Sequence, residues 1–182
     1  MLPPQPLLNM NKDVFLSLND ASFSIGKKKL LKEISLSIHE NDKVALVGKN
    51  GVGKTTLLKI LFGDKNLDEG VLWKNPRVKA GILSQRDNLK SNLNVMDSLL
   101  KINKSENNVD EYNVDRVLNE IKLEKTKKIN NLSGGELRKL ALVKLLISDF
   151  DLMFLDEPTN HLDIESIEWL ESYLTNEFKG SF

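Results

Sequence analysis

Val44-Ala45-Leu46-Val47-Gly48-Lys49-Asn50-Gly51-Val52-Gly53-Lys54-Thr55-Thr56 is the stretch that decides the fold. Four apolar residues, a loop containing three glycines and a run of good helix formers read as a short buried strand, a phosphate-binding loop and a helix. Glycines 48, 51 and 53 let the backbone curl so that successive N–H groups face inward, an anion nest at a helix N-terminus. Lys49, Asn50 and Val52 supply further amides of that loop. Lys54 is placed to reach the β- and γ-phosphates of a nucleotide, Thr55 to offer its hydroxyl to Mg2+, and Thr56 to donate to the α-phosphate. The competing reading is a glycine-rich turn beside a surface lysine; the strand before and the helix after favour the phosphate loop.

Two further motifs follow in order. Leu152-Met153-Phe154-Leu155-Asp156-Glu157 is an apolar strand ending in two carboxylates. Asp156 closes the strand and can supply a hard oxygen ligand to Mg2+. Glu157, one residue further on, is the candidate catalytic base that orients and deprotonates an attacking water. Between the loop and this strand lies Leu132-Ser133-Gly134-Gly135-Glu136. Ser133, Gly134 and Gly135 open a helix, and the glycines permit close approach of a second phosphate group. The chain's own loop already accounts for one nucleotide, so this surface is expected to cap the nucleotide of a second copy of the same kind of domain. Gln85, after an apolar run at Val78–Leu83, is a candidate to touch Mg2+ or the attacking water.

Around these motifs the chain reads as α/β. Val14–Leu18 and Leu36–Ile38, on either side of a Lys27-Lys28-Lys29 turn, resemble strands of a small antiparallel layer. Lys54–Phe62 reads as a helix ended by Gly63. Val71–Trp73 and Val78–Leu83 read as strands separated by a turn at Asn75-Pro76. Residues 86–131 are rich in Asn, Lys, Asp and Glu and carry amphipathic patches at Val95–Ile102 and Val114–Leu123; with the following helix they form a helical insert over about 86–147. Leu137, Leu140, Ala141 and Leu145 share one helical face, as do Ile167, Leu170, Leu174 and Phe178 in a final helix. Trp73 and Trp169 fall in patterned elements and read as packing residues. Residues 1–12, with three of the five prolines, read as a disordered leader ahead of a domain at 13–182. Gly180-Ser181-Phe182 looks like the start of another strand, so the domain is expected to be truncated at its C-terminus.

Composition narrows the class further. The 182 residues are 40% hydrophobic and 29% charged with zero formal net charge, which gives no global signal for a nucleic-acid-binding surface. Lys27-Lys28-Lys29 reads more simply as a solvated turn than as an RNA contact. The chain contains no cysteine, which excludes disulfides and thiolate metal sites. It also has no apolar run long enough to span a bilayer.

Taken in order and spacing, the three motifs resemble those of ABC ATPases, over residues 13–182. The resemblance implies a P-loop NTPase fold of the ABC nucleotide-binding type, with ATP and Mg2+ sandwiched between one cassette's loop and the signature of a second. It implies that Asn160-His161-Leu162-Asp163 is the D-loop that communicates across the pair. Glu157-Pro158-Thr159-Asn160-His161-Leu162-Asp163 is most similar to the ABC-F subfamily, and Ile164–Glu171 to first cassettes of that subfamily. Such proteins are cytoplasmic ATPases with two cassettes in one polypeptide, and many act on the ribosome. By the same resemblance the switch histidine would fall beyond residue 182. The adenine-stacking aromatic would align with Ile25, with Phe23 two residues away, and the insert leaves little room for a long arm. Two alternatives remain at this level. One is the ATP-hydrolysing subunit of a membrane transporter; the other is a cassette that binds nucleotide without turning it over.

Overall fold

The computed structural model describes residues 12–84, 91–103 and 110–182, with side chains for all of these except Ile102 and Asn103. The segment read as a leader, apart from Lys12, lies outside the described residues, as does Gln85. Two compact units are present. One holds the described residues up to Val78 together with Gly180–Phe182; the other holds Lys79–Lys179.

The first unit carries an antiparallel layer of β1 (Val14–Ile25), β2 (Lys28–His39) and β3 (Glu69–Lys74), in the order β2-β1-β3. The hairpin turns at Gly26-Lys27, so Lys28 and Lys29 already belong to β2 rather than to the turn. β1 is bulged: its register against β2 shifts between Leu18 and Ala21, where Asp20 has φ 49°. The bulge is satisfied by side chains, since Asp20 N–H donates to Ser35 Oγ and Glu33 N–H to Ser22 Oγ. Gly70 lies opposite the bulge, where a Cβ would stand 2.6 Å from the Asn19 and Asp20 carbonyl oxygens. Leu16, Leu18 and Ala21 on β1 and Leu31 on β2 are buried. Trp73, expected to pack, is 48% exposed on β3, whose residues are almost all exposed.

Helix α1 (Lys54–Phe62) has the expected span, and Gly63 ends it in the left-handed region with its N–H on Lys59 O. The preceding residues correct the sequence expectation. Val44–Val47 is neither an assigned strand nor buried: Val44 is 56% and Val47 90% exposed. Apolar character alone cannot bury a segment; it needs neighbouring strands, and here the described backbone pairing is with Phe182, through Val44 N–H to Phe182 O and Phe182 N–H to Asp42 O. Phe182 therefore does start a strand-like pairing, as its sequence suggested.

The second unit is built on two parallel strands, β4 (Ala80–Leu83) and β5 (Leu152–Leu155), paired Ala80 to Leu152 through Leu83 to Leu155. The crossover carries α2 (Val95–Asn103), α3 (Glu111–Glu120), a 3-10 turn at Ile129–Asn131 and α4 (Gly134–Leu146). α5 (Ile164–Asn176) follows β5. Val95, Leu99, Val114, Leu118, Leu140 and Val143 belong to one buried cluster joining α2, α3 and α4. α4 is buried on most of its circumference, Leu142, Val143 and Leu146 included, so the single apolar face expected from periodicity understates it. On α5 the buried set is Ser166, Leu170, Tyr173 and Leu174; Ile167 is half-buried and Phe178 lies beyond the helix. Trp169 packs as expected, its ring 5.4 Å from that of Tyr173 and its indole N–H on Glu120 Oε2.

Candidate functional site

In the first unit the phosphate loop leads directly into α1. Gly51 and Gly53 take φ of 76° and 115°, values that side chains disfavour, and Gly53 is the N-cap. Because the cap is glycine, it offers no side-chain acceptor to the first N–H groups of α1, and the first turn contains no acidic residue. The helix dipole and these amides thus present positive potential at the loop. Lys54 folds back over it, its Nζ donating to Gly48 O at 2.7 Å and Lys49 O at 3.2 Å. Donors of this kind, with an ammonium at their centre, fit a polyphosphate. Phe23 on β1 is half-buried with Lys65 Nζ 5.5 Å from its ring, whereas Ile25 is 55% exposed.

In the second unit the carboxylates stand at the end of β5. Asp156 continues the pairing with β4 through its N–H to Leu83 O and is 4% exposed. Glu157 then turns into the left-handed region at φ 47°. Asn160 grips it twice, with its backbone N–H on Glu157 O and its side-chain amide on Glu157 Oε2. The Asn160–Asp163 turn closes with Asp163 as the N-cap of α5, accepting from Ser166 N–H at 2.8 Å. Lys139 Nζ lies 2.8 Å from Asp163 Oδ2 and, with the Ser166 donors, holds the Asp163 carboxyl well below the usual carboxylate range.

Ser133 caps α4 in a complete capping box. Its hydroxyl accepts from Glu136 N–H, and Glu136 Oε2 accepts from Ser133 N–H. Lys127 Nζ sits on both Glu136 oxygens, at 2.8 and 2.9 Å, and with the Ser133 donors lowers the Glu136 carboxyl to about 2. Ser133 and Gly134 are exposed. Gly135 is crowded instead: a Cβ there would stand 3.0 Å from His161 O. Within this unit, then, the start of α4 and the 156–163 segment are brought together, while the loop 48–56 belongs to the other unit.

Arg138 and Lys139 were not singled out from the sequence. Both are buried, at 7% and 8% exposure, and both serve the 156–163 segment. Their signal was available: two adjacent cations between Leu137 and the apolar run Leu140–Val143 must each find partners where the helix is buried.

A glycine loop at a helix start, two carboxylates after a buried strand and a second glycine-opened helix together define a P-loop nucleotide-binding cassette. The family model described as ABC transporter matches residues 31–160, and the chain belongs to that family as an ABC ATP-binding cassette. It is 36% identical over 172 residues to ATP-binding protein Uup of Buchnera aphidicola, an alignment covering 91% of this chain and 29% of that one. It is 34% identical over 196 residues to the energy-dependent translational throttle protein EttA of Escherichia coli, covering 85% of this chain and 35% of that one. These are ABC-F relatives, and the chain spans roughly a third of their length. Among solved structures, an ABC transporter ATP-binding protein from Pyrococcus furiosus superposes with TM-score 0.78 at 26% identity, covering 92% of this chain and 90% of that one. No helix among the described residues is long and apolar enough to cross a membrane.

Proposed function

We propose that this cassette binds Mg-ATP and, paired with a second cassette, hydrolyses it to ADP and phosphate. The observation that carries the reading is the acid-free, side-chain-uncapped start of α1 with the Lys54 ammonium folded over Gly48 and Lys49. The loop amides of residues 48–53 and Lys54 hold the β- and γ-phosphates, and Thr56 donates to the α-phosphate. Thr55, Asp156 and Gln85 are the residues that would hold Mg2+, which when bound neutralises charge on the β- and γ-oxygens. Glu157 takes a proton from the attacking water as its oxygen bonds to the γ-phosphorus. The bond to the β,γ-bridging oxygen breaks, and ADP leaves with that electron pair. Ser133 keeps its hydroxyl proton while accepting from Glu136, so with Gly134 and Gly135 it can donate to the γ-phosphate held by the partner cassette.

The work this reaction drives is read from the relatives. EttA is by its name a translational throttle, and Uup shares its ABC-F character; a cytoplasmic factor acting at the ribosome, in contact with its RNA, is the proposed setting. Single-turnover hydrolysis decides the chemistry. Glu157→Gln should retain Mg-ATP affinity and lose turnover by about 100-fold or more. Equal turnover by Glu157→Gln and the parent chain would remove Glu157 as base.

A further inference from the structure

Arg138 lies one turn into the helix that begins with Ser133–Gly135, and both terminal nitrogens of its guanidinium donate to main-chain oxygens. Nη1 donates to Ser84 O at 2.5 Å, at the end of β4; Nη2 donates to Asp156 O at 2.8 Å and Glu157 O at 2.9 Å, at the end of β5. A planar fork of donors can bridge the carboxyl ends of two neighbouring parallel strands, which a lysine ammonium with one point of attachment cannot do. Burying a cation here is costly, and convergent carbonyls offset that cost. What the fork holds is an unusual backbone, because Glu157 sits at φ 47°, a conformation that persists in a residue with a side chain only when its surroundings enforce it. Two neighbours on the same face of α4 reinforce the link: Gly135 against His161 O, and Lys139 paired with Asp163.

We propose that Arg138 is the positioning residue of the catalytic segment. It fixes the left-handed turn that aims the Glu157 carboxylate and ties that turn rigidly to the helix whose first residues face a second cassette's nucleotide. Engagement of Ser133–Gly135 by that nucleotide is therefore felt at this chain's own base. The inference rests on the proposed role of Glu157 as base.

The test is Arg138→Lys in the full chain, with Arg138→Gln as a second variant should the first not fold. Two readouts are needed: amide hydrogen exchange, and the separate kcat and KM for Mg-ATP. We expect exchange at residues 156–161 to accelerate at least about tenfold while residues 140–145 of α4 keep their protection. We expect kcat to fall about 20-fold or more with KM within about threefold of the parent. Unchanged exchange at 156–161 overturns the proposal, as does faster exchange spread equally over α4, which marks a merely structural role. Faster local exchange with kcat within about twofold of the parent also overturns it. Should the parent chain with a second cassette fail to hydrolyse ATP at all, the proposed function falls, and positioning of a base falls with it; the exchange result then reports only whether the clamp exists.

Discussion

Glu136 shows how much a single side chain can carry. One carboxylate closes the capping box of α4 and accepts both contacts from Lys127, which draws its carboxyl down from 4.5 to about 2. A carboxyl with a lowered folded-state pKa stabilises the fold above its unfolded value, and that contribution is lost as pH falls through the folded value. The stabilising increment is thus complete above about pH 4.5 and fades toward pH 2. Urea unfolding of the parent and Glu136→Gln should differ at pH 6 and converge near pH 2. Parallel stabilities over that range would contradict the assignment. Asp163 has two duties, capping α5 and pairing with the buried Lys139. Asp163→Ala should cost more than the roughly 1 kcal/mol of a lost cap, because it also strands a buried ammonium. A loss of stability no larger than that of Asp110→Ala, which removes a cap from α3 alone, would show the ion pair to be idle.

The glycine-opened starts of α1 and α4 were legible in the sequence because glycine spacing and capping residues act locally. α1 came out with both ends as read, and Ser133 caps α4 as read. Strand extents were less legible. β1 runs on to Ile25 through a bulge that polar residues 19 and 20 conceal, since alternation fails wherever an extra residue is inserted. Burial of Val44–Val47 was misread because a strand's environment is set by its neighbours in the sheet, which its own residues do not encode. The burial of Arg138 is signalled by a cation beside an apolar run, but its partners are not, because the carbonyl oxygens of Ser84, Asp156 and Glu157 leave no mark in a sequence. Gly81 belongs to this scale as well. A Cβ at that position would stand 2.5 Å from the Phe150 ring and 2.6 Å from Leu145 Cδ1. Gly81→Ala should therefore destabilise the β4 layer by about 1–3 kcal/mol, read as a lowered unfolding midpoint. A neutral substitution would mean that Phe150 can move away freely.

At the scale of the whole molecule, the two units divide the labour of the proposed reaction. The first carries the phosphate loop; the second carries the carboxylates and the Ser133–Gly135 helix start. Family membership rests on the match over residues 31–160, and the ABC-F likeness on relatives about 35% identical. The exposed apolar run Val44, Leu46 and Val47 marks a surface that invites association, because contiguous exposed apolar side chains gain by being buried against a partner. Central to all of this is the proposal that the loop at residues 48–56 holds the phosphates of Mg-ATP. Isothermal titration of the parent chain and of Lys54→Ala with Mg-ATP tests it most directly. The account predicts saturable binding to the parent and an affinity weakened about 100-fold or more by the substitution, a loss of nearly 3 kcal/mol. Equal affinity for the two chains would contradict it.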